Sequence, residues 1–145
     1  MMALETYQSY LDQRARACMA GDFDSFAAGV ALPFCLLTET ASLIVETRED
    51  LRLGFEDFCR TLASQKITNM IILAEGAVHL GETLIAGRYV THLLSHANRA
   101  VPPYRSQMVL RLVDGQWQAA SIANSMTNNR WPILVPEVSP DTERG

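Results

Sequence analysis

The sequence predicts a curved α+β domain with a pocket between its layers, and three observations predict it. Apolar residues recur at helical spacing near the N-terminus. The segment Met19 to Phe26 (MAGDFDSF) breaks one helix and starts another. From Ile67 to Asn128 the chain then alternates with the period of two that marks half-buried strands. Helices gathered ahead of a run of strands pack as two layers around one core.

Taken in order, Leu4, Tyr7, Leu11, Ala15 and Cys18 fall three or four apart and predict one buried stripe on a helix over Ala3 to Ala20. Gly21 ends that helix, and Asp22 caps a short second one over Phe23 to Ala28, which Gly29 terminates. Pro33 and the apolar run Phe34 to Leu37 read as a strand, and Ser42 to Glu46 returns beside it. Thr47 caps a third helix carrying Leu51, Phe55, Phe58 and Leu62 and ending near Ser64. Long strands follow over Ile67 to Leu80, Thr83 to His96, Tyr104 to Val113 and Gln116 to Thr127. Asp114-Gly115 forms the hairpin turn between the last two.

A chain of 145 residues, 48% hydrophobic and 19% charged, suits one globular domain, expected over 1–131 with a proline-containing tail over 132–145. The net charge of −4, with no dense Lys/Arg run, argues against nucleic acid and acidic membrane surfaces as partners. Cys18, Cys35 and Cys59 are far apart and outside any metal-ligand spacing, so they read as buried thiols. The absence of a basic, apolar leader and of a membrane-length apolar run sets a cytoplasmic expectation. No phosphate-cradling glycine loop and no GxSxG elbow occurs, so neither a nucleotide cofactor nor a serine nucleophile is supported.

The segment AGDFDSFAAGVA, placed after the first helix and before a hairpin, resembles the nuclear transport factor-like, SnoaL-like superfamily of cystatin-like cones. That superfamily includes ketosteroid isomerase and scytalone dehydratase. The likeness extends from about Leu4 to Asn128 through element order and the Asp114-Gly115-Gln116-Trp117 hairpin. It implies three N-terminal helices packed in the concave face of a strongly curved, mostly antiparallel sheet, a cone-shaped α+β barrel whose open end holds a small molecule. It also implies a homodimer formed through the outer sheet face. Matched through the same segment, the isomerase branch would set its catalytic tyrosine at Arg14, its general base at Thr38 beside Glu39 and its protonated acid at Met108. Those departures count against isomerase chemistry.

Within this frame, alternation turns Ile85, Gly87, Tyr89, Thr91 and Leu93 inward, together with Tyr104, Ser106, Met108, Leu110 and Leu112 of the next strand and Ala120, Ile122, Asn124 and Met126 of the last. Tyr89 is either a ligand contact or a core tyrosine with a satisfied hydroxyl. Asn124 either binds a ligand carbonyl or fastens its strand to the chain near Trp131. Arg14 lies on the stripe of positions 7, 11, 14 and 18, where it either meets an anionic ligand or reaches water or a nearby acid such as Asp12 or Glu39. The candidate ligand-binding residues are therefore Arg14, Thr38, Tyr89, Tyr104, Met108 and Asn124. His92 and His96, four apart on one strand, would lie about 13 Å from each other and could not share a metal. Three functions compete: a pocket for a small, largely apolar molecule; a cofactor-free isomerase, dehydratase or cyclase using Glu39 or a histidine as base; and a dimeric interaction module presenting Arg88, His92, Arg105 and Arg111.

Overall fold

The computed structural model describes residues 2–125 and 131–132. Three helices, α1 (Ala3–Ala20), α2 (Phe23–Ala28) and α3 (Arg48–Ser64), accompany seven strands. These are β1 (Val30–Leu37), β2 (Ser42–Val45), β3 (Asn69–Gly81), β4 (Leu84–Ser95), β5 (Asn98–Arg99), β6 (Tyr104–Val113) and β7 (Gln116–Asn124). One curved, unclosed sheet runs β2-β1-β7-β6-β4-β3, with β5 paired to β4. Every pair is antiparallel except β1 with β7. The expected α+β architecture is therefore present, as a mixed sheet against which the helices pack.

Local chemistry sets the turns. Gly21 takes a left-handed conformation (φ 65°) and its amide bonds back to the carbonyls of Ala17 and Cys18. The next residue, Asp22, accepts a hydrogen bond from the Ser25 amide and starts α2. Thr47 accepts one from the Asp50 amide and starts α3. Asp114 and Gly115 both have positive φ (51° and 80°), the backbone that a two-residue hairpin turn requires.

Several sequence expectations need correction. Leu4 is 47% exposed, whereas Tyr10 is buried, so the buried face of α1 is rotated toward Tyr7, Tyr10 and Leu11. Cys35 is exposed because Phe34 and Leu36 on either side of it face the core. β1 begins at Val30 rather than Pro33, since Val30 pairs with Ala119 of β7, a long-range partner that local patterning does not reveal. β3 begins at Asn69 because the chain leaving α3 is still turning, with Lys66 at φ 56° and the Ile67 amide bonded to the Leu62 carbonyl. His96 lies in a turn with positive φ rather than on the strand with His92. β7 is described as far as Asn124; the expected inward Met126 and the tail beyond Pro132 lie outside the described residues.

The core sits between α1 and the middle of the sheet, where Tyr7, Leu11, Ile85, Leu93 and Leu110 have no exposed surface. There Tyr7 lies directly against Gly87: a Cβ at position 87 would stand 2.4 Å from the Tyr7 Cζ. Glycine in a strand interior marks such a site of close approach. Along the free edge of β3, the Gln8 side chain donates to the Ile72 carbonyl and accepts from the Ala74 amide, both at 2.8 Å. An α1 amide thus takes the place of a strand neighbour there and blocks pairing with another chain. Among the described residues no helix is long and apolar enough to cross a membrane.

Replacing Gly87 by alanine forces the Tyr7 ring outward, and overpacking of this kind costs about 1–3 kcal/mol. A Gly87→Ala variant is expected to unfold at a lower urea concentration than the native chain. An unchanged midpoint would show that the α1–β4 contact is looser than described.

Candidate functional site

Side chains from both layers meet in a cavity of about 80 Å³. Its apolar lining is Phe26 from α2, Phe55 and Phe58 from α3, Met70 and Ile72 from β3, and Ile122 from β7. Phe26 and Phe55 pack with ring centroids 4.6 Å apart. Its polar lining is a ladder across three strands, with Ile72 directly beside Thr91. Tyr89 of β4 stands opposite Ser106 of β6, which stands opposite Asn124 of β7, and Thr91 stands opposite Tyr104 one step along. All five line the cavity.

Arg14 of α1 completes the ring. Its guanidinium lies 4.9 Å from the Phe26 centroid, in cation–π contact, and Nη1 reaches the Tyr10 hydroxyl at 3.5 Å. The Tyr10 hydroxyl donates in turn to the Gly29 carbonyl, which also accepts from the Ala119 amide. Neither acid considered as an Arg14 partner approaches it: Asp12 accepts from Gln8, and Glu39 is exposed in the β1–β2 turn. Among the described residues no carboxylate forms an ion pair with Arg14.

A second, wider groove of about 850 Å³ runs along the outside of α1 and α2 to the β6–β7 turn. It is larger, but its floor is helix surface open to solvent, whereas the smaller cavity gathers inward-facing groups from seven elements. Arg14 and Phe26 border both spaces and form the partition between them.

The electrostatics follow from burial. All four tyrosines of the chain, Tyr7, Tyr10, Tyr89 and Tyr104, cluster around this region. Loss of hydration raises every one of their phenol pKa values, with Arg14 pulling each back toward ionisation. Burial works against the charge on Arg14, but the Tyr10 and Tyr89 oxygens beside it hold its pKa above the ordinary value. The Cys18 thiol, also buried, is pushed up to about 11 and is therefore a poor nucleophile at neutral pH.

Of the residues singled out from sequence, Arg14, Tyr89, Tyr104 and Asn124 come together at the cavity. Thr38 and Met108 do not. The Thr38 hydroxyl accepts from the Ala41 amide at 3.0 Å in the β1–β2 turn, and Met108, 1% exposed, is packed into the core. His79 and His96 are exposed, and His92, paired with Ile71, lies on the outer face. No imidazole or carboxylate lines the cavity among the described residues. Sequence reasoning missed Phe26, Phe55, Phe58 and Trp131 as lining groups. Trp131 packs edge-on to Phe34 and donates from Nε1 to the Asp50 carbonyl at 3.1 Å. It lies so close to α3 that a Cβ on Gly54 would fall 1.5 Å from the indole nitrogen, so the buried Gly54 is the one signal in the sequence that pointed to it.

No protein-family model and no curated protein sequence matches the chain. Solved structures do. An NTF-2-like protein of unknown function from Shewanella oneidensis superposes with a TM-score of 0.66 at 10% identity, covering 83% of this chain and 97% of that one. A domain of unknown function with a cystatin-like fold from Nostoc punctiforme gives 0.65 at 16% identity, covering 86% and 77%. A ketosteroid isomerase-like protein from Erwinia carotovora atroseptica gives 0.58 at 16% identity, covering 86% and 96%. The chain therefore shares the nuclear transport factor 2-like, cystatin-like fold, as the resemblance implied.

Because native burial raises the tyrosine pKa values, the folded state holds phenolic protons that the unfolded state releases near pH 10. The stability they contribute is complete below about pH 10 and is lost as pH rises through the folded values, at up to about 1.4 kcal/mol per pH unit for each tyrosine. Ultraviolet titration is expected to show no tyrosinate while the protein stays folded up to about pH 10.5, then release of phenolic protons together with unfolding. A phenol ionising near pH 10 in the intact fold would contradict the burial described.

Proposed function

We propose that this chain is a small-molecule-binding protein whose ligand, largely apolar with one polar end, occupies the cone cavity. The observation that carries this reading is the mixed lining of the cavity. Phe26, Phe55, Phe58, Met70 and Ile72 offer apolar contact, and Tyr89, Thr91, Tyr104, Ser106 and Asn124 offer hydroxyls and an amide. Ligand sites combine these features: apolar area supplies affinity, and a few convergent polar groups set orientation.

Size limits the guest. An apolar cavity of roughly 150 Å³ accommodates benzene, and the volume here, about 80 Å³, is near half of that. By that measure about three or four non-hydrogen atoms, a compound of about two carbon atoms, fit without rearrangement. A larger one would have to displace Trp131 and Pro132, which form part of the lining. An acid–base enzyme is less well supported, because the described lining offers phenols, alcohols, an amide and a guanidinium but no group that accepts a proton at neutral pH.

Dimerisation through the outer sheet face is compatible with this function. Ile71 and Leu73 are 37% and 46% exposed there, beside the Arg105–Glu75 ion pair. Sedimentation equilibrium is expected to return twice the chain mass, with Leu73→Glu shifting it toward the single chain. A native protein that sediments as one chain at all concentrations contradicts the dimer and leaves the pocket reading intact.

The pocket itself is tested by ligand-observed NMR with neutral two-carbon compounds such as ethanol and acetamide. Saturable binding is expected, and Ile72→Phe, which adds volume to the apolar lining, is expected to weaken it at least tenfold while the protein remains folded. Absence of binding by every neutral and charged two-carbon compound would overturn the proposal.

A further inference from the structure

Arg14 presents an unusual balance of groups. A guanidinium has five N–H donors, yet among the described residues its one hydrogen-bond partner is the Tyr10 hydroxyl, at the long distance of 3.5 Å. It is half-buried, one face is covered by Phe26, and no carboxylate of the described chain neutralises it. The Phe26 face and the Tyr10 and Tyr89 oxygens favour the charge, but none of them is an anion at neutral pH. The other polar groups around it are neutral as well: Tyr104, Thr91 and Ser106 carry hydroxyls and Asn124 an amide, and all open onto the same space. What this set lacks is an acceptor with negative charge.

We infer that the polar end of the ligand is a carboxylate, and that the ligand class is a small monocarboxylic acid of about two or three carbon atoms with its alkyl group against Phe55, Phe58 and Ile72. The inference rests on the reading of the cone as a small-molecule pocket and adds the charge of the guest. Three features select a carboxylate. Its planar pair of oxygens matches the guanidinium edge and accepts two parallel hydrogen bonds. Its remaining lone pairs suit the hydroxyls of the ladder. A cavity of about 80 Å³ leaves room beside the headgroup for only a short chain. Arg14 is then the specificity-determining residue, distinguishing the acid from its neutral amide by a charge-assisted bond.

The test compares acetate with acetamide on the native chain at constant ionic strength, by ligand-observed NMR and by amide shifts in a 15N correlation spectrum. Acetate is expected to bind between about 10-fold and 100-fold more tightly than acetamide, the range that a charge-assisted hydrogen bond supplies. Its shifts are expected at Thr91, Ser106 and Asn124. Arg14→Gln is expected to abolish the preference of acid over amide, and Arg14→Lys to keep part of it. Equal binding of acid and amide by the native chain overturns the inference while the pocket reading stands. Shifts confined to Gln13, Ser25 and Gln116 overturn it too, because they place the anion in the outer groove. Failure of both compounds to bind overturns the inference together with the reading beneath it. The native-chain comparison needs no variant, so misfolding of Arg14→Gln leaves the outcome decided.

Discussion

The contact on which the rest depends is that of Tyr7 with Gly87. Helix α1 can lie in the concave face of the sheet only because β4 has no side chain at that point, and the aromatic ring fills the space a Cβ would need. This seating fixes the height of α1 above β4 and β6. Two turns further along the helix, the same placement brings Arg14 over the ladder formed by Tyr89, Ser106 and Asn124. Gln8, on the same helix, fastens α1 to the edge of β3 through two backbone hydrogen bonds. Position and rotation of the helix are thus held by one apolar and one polar contact, and the cavity is a consequence of both.

The site that results is rich in donors and poor in charge acceptors. Four buried or half-buried tyrosines surround one arginine, and Tyr10 and Tyr89 raise the cost of ionising their neighbours. Such an arrangement resists proton transfer at neutral pH, because no member of it changes charge there. It is suited to holding a guest by shape, hydrogen bonds and one fixed positive charge. Trp131, seated on Gly54 and against Phe34, adds an aromatic surface from a segment beyond the last strand and reduces the volume left for that guest.

Much of this was legible in the sequence, for identifiable reasons. Period-two alternation turned Tyr89, Thr91, Tyr104, Ser106 and Asn124 inward, and the glycine and capping signals at Gly21, Asp22 and Thr47 placed the helix ends. What escaped depends on contacts distant in the chain. The Arg14–Phe26 stacking joins two helices, and neither periodicity contains the other. β1 starts at Val30 because of β7, some ninety residues on. Register shifts between Ala74 and Gly76 and between Val109 and Leu110 bend the sheet, and a simple alternating pattern does not show where such bulges fall. Thr38 and Met108 came from matching the positions of a resembling family; Thr38 lies in the β1–β2 turn and Met108 in the core below the cavity lining. Tyr10 was readable: it lies three residues from Tyr7 and four from Arg14, on the face they share.

The most direct measurement is a crystal structure at a resolution that shows ordered solvent, grown without small carboxylates and then soaked in bromide. The account requires the Arg14 guanidinium to lie over Phe26, with solvent or anomalous bromide density between it and Tyr104. An Arg14 side chain extended into bulk water, with the space beneath it filled by protein atoms, would contradict the account.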